Sequence, residues 1–581
     1  MNILKELKED LLNVFKSAGY DVDSVELKES DRKDLGDFQI NDCMKLASTY
    51  HKNPREIAED IKNELDKDDK FINVNIAGPG FINLTLSNEY LKKSINKIID
   101  DPKKLIEKEE PKKIIIDYGG ANVAKALHVG HLRTANIGEA LKRLARIIGH
   151  DVIGDAHLGD YGRPLGLVER EIKERYPDLP FFDPNYQGDF SEVELPITNK
   201  DLEEIYPIAS KKGKEDEEYL EDARVMTNAI QHHERGYYDL WKKIVDISKA
   251  DIKKVYEELN VNFELWNGES DAMEYFDELN ELAEKAGVLV ESNGAKVIEV
   301  AEEGDKIDIP PLLYIKSNNT VSYETTDIAT LLQRKREIDP DEVLYVVDFR
   351  QALHFTQAFR SAYKIGFIDK SVNLEHIGIG TMNGKDGKPF KTRDGGVLPL
   401  KSLIDEAYNE TIKRINNDKV TKEEAPEIAK TVAIAAVKFA DFLPYRETDY
   451  IFDISKFTDI EGKTGPYVLY STIRMKSLLN NATDMNKDKI YKIDDTTKDM
   501  ALLVLDLPNV LTRSLKARSL NELADYLYSI CSSFNTFYAK NKVLTETDEE
   551  QRTSWLAMTK LLYDISTMIL DILAIKVPEK M

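Results

Sequence analysis

The stretch "KKIIIDYGGANVAKALHVGHLRTANIGEALKRLARIIG", residues 112 to 149, decides the fold of this chain. Its apolar run predicts a buried strand, and the apolar residues after residue 131 recur at helical spacing. A glycine-containing turn separates the two. A strand, a tight turn and a helix start in this order are typical of parallel α/β sheets, which bind ligands at that turn.

The rest of the chain supports an α/β fold class with three units. Residues 1–105 predict an α+β domain, because helical patterns flank the strand–turn–strand run "FINVNIAGPGFINLTLS". Residues 106–455 predict a Rossmann-like parallel-sheet domain, in which "KIIIDY", "DVIGDAHLG", "NVNFELW", "LLYIKS", "VLYVVDF" and "LEHIGIG" alternate with helices. The charged, helical stretch 166–255 is interpreted as an insertion. Residues 456–581 predict an all-α helical bundle.

The amino-acid composition indicates in which cellular compartment the protein is expected. The chain has 581 residues and no apolar run of the length that a membrane span needs, and its first residues lack the pattern of a targeting segment. Its two cysteines cannot form a disulfide framework, so we expect a reducing cytoplasm. The net charge of −25 argues against a nucleic-acid partner, but an acidic protein can carry a local basic surface.

Two histidines, His128 and His131, mark the helix start and allow three interpretations. A metal pair needs further ligands, and this spacing is not the i, i+4 arrangement that places two imidazoles over one ion. An ordinary helix start with incidental histidines leaves the small residues before it unexplained. A nucleotide site explains more: the helix N-terminus attracts phosphates, Gly130 lets a flat base approach, and Lys125 adds a cation.

This region resembles the HIGH signature of class I aminoacyl-tRNA synthetases, and in detail the arginyl-tRNA synthetase family. The resemblance extends over nearly the whole chain through "YETTDIAT", "VVDFRQALHFTQAF", "GKDGKPFKTRDGG", "TDYIFD", "EGKTGPYVLY" and "KVPEKM". It implies that arginine is activated with ATP and Mg²⁺ and then transferred to tRNA(Arg). His128 and His131 are predicted to stabilise the reacting phosphate, and no structural metal is expected.

A guanidinium substrate requires carboxylates and neutral acceptors, which this sequence offers at strand ends and helix starts. The resemblance implies arginine contacts at these matching positions: Asp117, Asn122, Tyr323, Asp327 and Gln351. Each also has an ordinary explanation. An aspartate at a helix start is usually a cap, Tyr323 could be a half-buried aromatic, and Asp117 could pair with Lys125.

The second class I signature, KMSKS, departs from its usual form in "GKDGKPFKTRDGG". Lys388 and Lys391 are the best candidates for pyrophosphate binding, with Lys125 supplying the missing cation from the opposite side. The family resemblance of "HIGIGTM" implies that Gly378 and Met382 contact the adenine. The alternatives are a solvated basic hairpin and a plain buried strand end.

The helical bundle contains aromatic and cationic residues that can stack on bases and contact phosphates. We predict tRNA contacts at Tyr467, Tyr470, Arg474 and Tyr538, although aromatics at helical spacing are more often core residues. No heptad seam is present, so a monomer is expected. Two alternatives are a non-catalytic tRNA-binding paralogue and a different adenylyl-transferring enzyme on the same fold.

Overall fold

The computed structural model describes residues 2–317, 321–388, 398–415 and 420–581. Its N-terminal unit packs helices against an antiparallel sheet of order β1-β2-β4-β3. The elements are α1 (Ile3–Ser17), β1 (Leu27–Glu29), β2 (Phe38–Ile40), α2 (Cys43–Tyr50), α3 (Pro54–Leu65), β3 (Phe71–Ala77), β4 (Phe81–Leu86) and α4 (Asn88–Asn96). Gly78 and Gly80, both at positive φ, form the predicted turn between β3 and β4.

The middle unit alternates strands and helices. Its strands are β5 (Lys113–Tyr118), β6 (Asp151–Asp155), β7 (Leu289–Ser292), β8 (Ala295–Ile298), β9 (Leu312–Ile315), β10 (Glu342–Asp348), β11 (Asn373–Ile379), β12 (Met382–Asn383) and β13 (Tyr450–Ile451). Its helices are α5 (Val129–Ile148), α6 (Arg163–Arg175), α7 (Asn199–Glu215), α8 (Glu217–Gln231), α9 (Tyr237–Glu258), α10 (Glu269–Ala272), α11 (Phe276–Ala286), α12 (Tyr323–Glu337), α13 (Ala352–Ile365), α14 (Leu400–Ile412), α15 (Ala425–Phe442) and α16 (Ile454–Phe457).

The central sheet is parallel and has the order β11-β10-β5-β6, which confirms the predicted fold class. After β5 the chain crosses through α5 to β6 on one side, whereas β10 and β11 extend the sheet on the other side. The connections therefore diverge between β5 and β10. A crevice opens at the carboxyl ends of strands at such a switch point, and ligands bind there.

Two predicted strands differ from expectation. "LLYIKS" forms β9, but β9 belongs to a separate antiparallel sheet of order β7-β8-β9 instead of the parallel sheet. The hairpin between β7 and β8 turns at Asn293 and Gly294, both at positive φ. "NVNFELW" forms only isolated bridges beside β6, from Asp155 to Leu265 and from Leu158 to Gly268. Local apolar runs cannot reveal which sheet a strand joins, because pairing depends on distant residues.

The C-terminal unit is helical over the described part of residues 456–581. Its long helices are α17 (Gly465–Asn480), α18 (Lys498–Ala517), α19 (Asn521–Lys540) and α20 (Glu549–Ile572). Their apolar faces form one core that also reaches α5 and α15. Among the residues that the structure describes, no helix is both long enough and apolar enough to span a bilayer.

Candidate active site

The two signature histidines cap the N-terminus of α5. Nδ1 of His128 accepts a hydrogen bond from the backbone N–H of Gly130 (3.1 Å), and Nδ1 of His131 accepts one from the N–H of His128 (3.0 Å). The ring centroids lie 3.9 Å apart. Because each Nδ1 is an acceptor, each neutral ring carries its proton on Nε2. The helix start thus presents two Nε2–H donors.

The protonation state of both imidazoles follows from burial. Burial, with the nearby charge of Lys125, lowers the pKa of His128, and burial lowers the pKa of His131 to about 3. Both rings are therefore neutral at neutral pH. Gly130 between them has a steric reason as well: a Cβ there would lie 2.9 Å from the His128 ring. The approach of adenine to Gly130 stays a prediction.

A buried guanidinium from the chain itself lies at the ends of β5 and β6. Nη2 of Arg334 is 2.6 Å from Oδ2 of Asp117 and 2.7 Å from Oδ2 of Asp155. The guanidinium also lies over the ring of Tyr345, 5.2 Å from its centroid. Asp117 therefore pairs with Arg334 and not with Lys125. Burial raises the pKa of Asp117, and the charge of Arg334 opposes that rise.

The contact of Arg334 with Asp117 and Asp155 argues against a metal ion at these carboxylates. Among the described residues, Asp117, Asp155 and His157 form a group whose ligand atoms lie close enough to share an ion. A guanidinium already contacts both carboxylates of this group and supplies one positive charge between them. The donor set therefore suits Arg334 better than a divalent cation. His128 and His131 do not belong to this group.

An acidic pocket lies where α10 and α12 begin. Oδ2 of Asp327 is 2.5 Å from Nε2 of His354. Burial, followed by the charges of Asp327 and Asp160, raises the pKa of Glu269 to about 8. Within the described ranges, no lysine, arginine or histidine nitrogen lies within 4 Å of the Glu269 carboxylate. A cation bound in this pocket would therefore favour the ionised form of Glu269.

Glu269 is not among the arginine-binding residues predicted from the sequence. Its neighbour Asp160 is held by Ser270, which donates from its backbone N–H (2.9 Å) and its hydroxyl (2.6 Å). Glu269 follows "NFELWNG", so it satisfies the strand-end criterion that selected the other carboxylates. That segment pairs beside β6 only through isolated bridges. Because it does not form a regular strand, Glu269 was not recognised as a residue at a strand end.

The other predicted arginine contacts lie in the segments that follow three different strands. Asn122 is exposed and bridges to Gly159, beyond the end of β6. Tyr323 is the first residue of α12. Gln351 is half-buried and ends the 3₁₀ turn that follows β10. Asn122 and Gln351 thus follow β5 and β10, the two strands that flank the switch point, whereas Tyr323 follows β9 of the antiparallel sheet.

The predicted nucleotide contacts lie on the β11 side of the crevice. The carbonyl of Gly378 accepts a hydrogen bond from Nη1 of Arg446 (2.6 Å), and Met382 is buried in β12, opposite Tyr450 of β13. Lys388 is exposed in a turn in which its carbonyl accepts a bond from the N–H of Gly384 (2.8 Å). Lys391 lies outside the described residues. Lys125 is half-buried beside α7.

The four predicted tRNA contacts lie together on α17 and α19. The guanidinium of Arg474 lies over Tyr470 (4.5 Å to the centroid) and Tyr538 (5.5 Å), and its Nη1 donates to Oδ1 of Asn535 (2.7 Å). Nδ2 of Asn535 donates to the hydroxyl of Tyr467 (3.1 Å). Tyr538 is 40% exposed, so one face of this cluster is accessible.

Comparisons with known proteins agree along the chain. The family described as tRNA synthetases class I (R), catalytic domain, matches residues 94–454. The arginyl tRNA synthetase N terminal domain matches residues 1–86, and the DALR anticodon binding domain matches residues 468–581.

Individual relatives match over their full length. The arginine–tRNA ligases of Alkaliphilus oremlandii and Agathobacter rectalis are 42% and 41% identical to this chain, with 100% of both chains covered in each case. The crystal structure of arginyl-tRNA synthetase from Plasmodium falciparum superposes with a TM-score of 0.81 at 23% identity. That match covers 100% of this chain and 99% of the other, and it supports the fold alone.

Proposed function

This chain belongs to the arginyl-tRNA synthetase family, and we propose that the crevice at the switch point activates arginine with ATP and transfers it to tRNA(Arg). The enzyme is an aminoacyl-tRNA synthetase whose substrates are arginine, ATP and tRNA. ATP enters with Mg²⁺ on its phosphates, as part of the substrate. The non-catalytic paralogue is disfavoured by these matches, and so is another adenylyl transferase.

The acidic pocket carries the proposal for arginine. Asp327 and Glu269 are the carboxylates for the guanidinium, since the pocket has no compensating cation for Glu269 among the described residues. Tyr323 and Gln351 supply neutral contacts, and Asn122 with Asp117 receives the α-amino group. Such a site rejects an uncharged analogue, because the Glu269 carboxyl group would then stay without a cationic partner.

The helix start carries the proposal for ATP. In the first step, a carboxylate oxygen of arginine attacks the α-phosphorus, and the bond to the bridging oxygen of pyrophosphate breaks. Arginyl-adenylate and pyrophosphate are the products. The Nε2–H groups of His128 and His131 donate to the phosphate oxygens as negative charge builds up, and Lys125 with Lys388 and Lys391 neutralises the leaving group. Gly378 and Met382 contact the adenine.

The second step transfers arginine to the 3′-terminal adenosine of tRNA(Arg). The ribose 2′-hydroxyl attacks the carbonyl carbon of the adenylate, its proton leaves, and AMP departs. Neither step needs a protein nucleophile, so the protein contributes positioning and electrostatic stabilisation. The neutral imidazoles suit this role because they donate without adding a competing base at Nδ1, which is already hydrogen-bonded.

The domain roles complete the proposal. Residues 1–105 contact the tRNA body, 106–455 catalyse both steps, and 456–581 bind the anticodon region through Tyr467, Tyr470, Arg474 and Tyr538. We further infer a monomer that acts in the cytoplasm. Two buried cysteines without a disulfide, Cys43 and Cys531, support a reducing compartment.

A charging assay tests the proposed function. The protein is incubated with ATP, Mg²⁺, tRNA and radiolabelled arginine, and acid-stable charged tRNA is counted. Parallel reactions contain lysine, glutamine or citrulline, which is the uncharged analogue of arginine. We expect charging with arginine alone. Attachment of lysine or citrulline at a comparable rate would refute the role of the acidic pocket, and tRNA binding without ATP turnover would favour the paralogue.

A further inference from the structure

The charged insertion packs its helices against the segment that leads from β5 to the signature histidines. On α9, the hydroxyl of Tyr256 donates to the carbonyl of Gly119 (2.5 Å), and Oγ of Ser248 accepts from the N–H of Ala124 (3.1 Å). On α7, the ring of Tyr206 lies under the ammonium of Lys125. The insertion therefore contacts this segment at several points.

The backbone just before Lys125 has a strained conformation. Ala124 has a φ of +60°, in the left-handed region that a residue with a Cβ rarely adopts. Its N–H is fixed by Ser248, which is 2% exposed. Because φ at Ala124 sets the direction of the following residue, this buried bond helps to aim the Lys125 side chain.

The ammonium of Lys125 rests on an aromatic face instead of a carboxylate. Its Nζ lies 4.4 Å from the centroid of the Tyr206 ring. In the described part of the chain, no carboxylate oxygen lies within 4 Å of it. A ring attracts a cation through its quadrupole and adds no negative charge. An ammonium held in this way keeps its full charge for an anionic ligand.

Lys125 also acts on the signature imidazoles. Its charge contributes to the lowered pKa of both His128 and His131, so the ammonium acts electrostatically on both rings. The same group of side chains thus combines a fixed cation with two neutral donors at a helix N-terminus. All three features favour phosphate oxygens.

We propose that Tyr206 of the insertion is a positioning residue for adenylate formation, whose ring holds Lys125 toward the phosphates of ATP. This inference rests on the proposed function, in which Lys125 supplies the cation that the second signature loop lacks. The insertion then has a role in catalysis. Helix α7 supplies the aromatic ring that contacts the Lys125 ammonium, and α9 holds the backbone just before Lys125.

A double-mutant cycle tests this inference. The variants are Tyr206→Leu, Tyr206→Phe, Lys125→Met and the double variant Tyr206→Leu/Lys125→Met. Pyrophosphate exchange is measured with tRNA present while ATP and arginine are varied separately. We expect Tyr206→Leu to lower kcat/KM for ATP roughly 3- to 30-fold. Tyr206→Phe keeps the ring and should stay within about twofold of the wild type. The KM for arginine should not change in either variant.

The cycle separates the inference from the proposed function. If Lys125→Met retains full exchange activity, the role of Lys125 fails and the inference fails with it. If Lys125→Met is impaired but Tyr206→Leu lowers activity by the same factor with or without Lys125, Tyr206 has only a structural role and the inference alone is wrong. Loss of the Tyr206→Leu effect in the Lys125→Met background supports it.

A substitution that preserves the shape of the ring tests the inference even if the Tyr206→Leu variant does not fold. Trifluorinated phenylalanine at position 206 has nearly the size of phenylalanine but a weaker negative potential on its face. We expect kcat/KM for ATP to fall from phenylalanine to trifluorophenylalanine, with an unchanged melting temperature. Equal activity of the two full-length proteins would overturn the inference.

Discussion

The carboxylate of Asp117 accepts a hydrogen bond of 2.6 Å from Nη2 of Arg334 in the protein interior. Arg334 contacts Asp155 through the same nitrogen, so two buried acids share one guanidinium. Removing it leaves Asp117 without its ion-pair partner, and Asp155 keeps only His157, whose Nδ1 lies 3.9 Å from Oδ2. We expect Arg334→Met to lower the free energy of unfolding by about 3–5 kcal/mol, as measured by urea denaturation.

A second variant distinguishes the charge effect from lost packing. In Arg334→Met/Asp155→Asn, one of the two acids is gone, so part of the lost stability should return. Arg334→Lys keeps the charge but lacks the planar guanidinium that lies over the Tyr345 ring, and it should lie between the wild type and Arg334→Met. Equal stability of Arg334→Met and the wild type would contradict this account.

The Nε2–H donors of the signature histidines predict a pattern among amide substitutions. The amide group of a glutamine can occupy the position of the histidine Nε2–H. The amide group of an asparagine occupies the position of Nδ1, so it keeps only the hydrogen bond that caps the helix. We therefore expect His131→Asn to lose about 10²–10³ in the rate of adenylate formation, and His131→Gln to lose less. Pyrophosphate exchange measures both. A greater loss in His131→Gln than in His131→Asn would argue against the Nε2–H donor.

The low pKa of His131 predicts a pH dependence of stability. Its pKa is lowered from 6.5 to about 3 in the folded protein, so between these values the unfolded chain binds more protons than the native state. The free energy of unfolding should therefore fall as the pH drops from about 6.5. Urea denaturation between pH 7 and 5 measures this slope. His131→Gln should show a shallower slope, because its side chain does not titrate.

Glu269 predicts proton release on arginine binding. Its pKa near 8 means that it is largely protonated at pH 7, and a bound guanidinium favours the ionised form. Arginine affinity should therefore increase from pH 6.5 to 8, by at most tenfold per unit. Calorimetry at pH 7 in two buffers of different ionisation enthalpy detects the released proton. Glu269→Gln should weaken binding and abolish the release.

Asp327 provides a control for the electrostatic cause. Its charge raises the pKa of Glu269, so Asp327→Asn should lower that pKa and move the pH dependence of arginine binding to lower pH. The variant should also weaken arginine binding, because it removes a charged acceptor. An unchanged pH profile in Asp327→Asn would show that the two carboxylates do not share one pocket.

The cluster on α17 and α19 predicts two separable effects on tRNA. Tyr538→Ala removes an exposed stacking face and should raise the KM for tRNA roughly 5- to 150-fold without changing its salt dependence. Arg474→Gln removes a cation and should reduce the slope of log affinity against log salt by about one. Charging kinetics at several salt concentrations test both. Unchanged KM values in both variants would place the tRNA elsewhere.

Much of the fold followed from local patterns. The β5–α5 stretch, the N-terminal hairpin and the C-terminal helices were predicted because periodicity and turn residues act over a few positions. The β7–β8 hairpin was missed, although its turn contains Asn293-Gly294, a strong hairpin signal. The placement of β9 could not be predicted, since its partners are set by long-range pairing.

By itself, the sequence determined the hydrogen bonds that the two signature histidines make at the helix start, because each donor and its acceptor lie within three residues of one another. His128, Gly130 and His131 cap one helix start through local hydrogen bonds. Only the tertiary structure decided which distant groups complete the site. Arg334 reaches Asp117 across 217 positions, the charge of Asp327 acts on Glu269, and the Tyr206 ring lies beside the Lys125 ammonium. These contacts depend on how helices pack onto the sheet, and Coulomb and packing forces act through space without regard to separation along the chain.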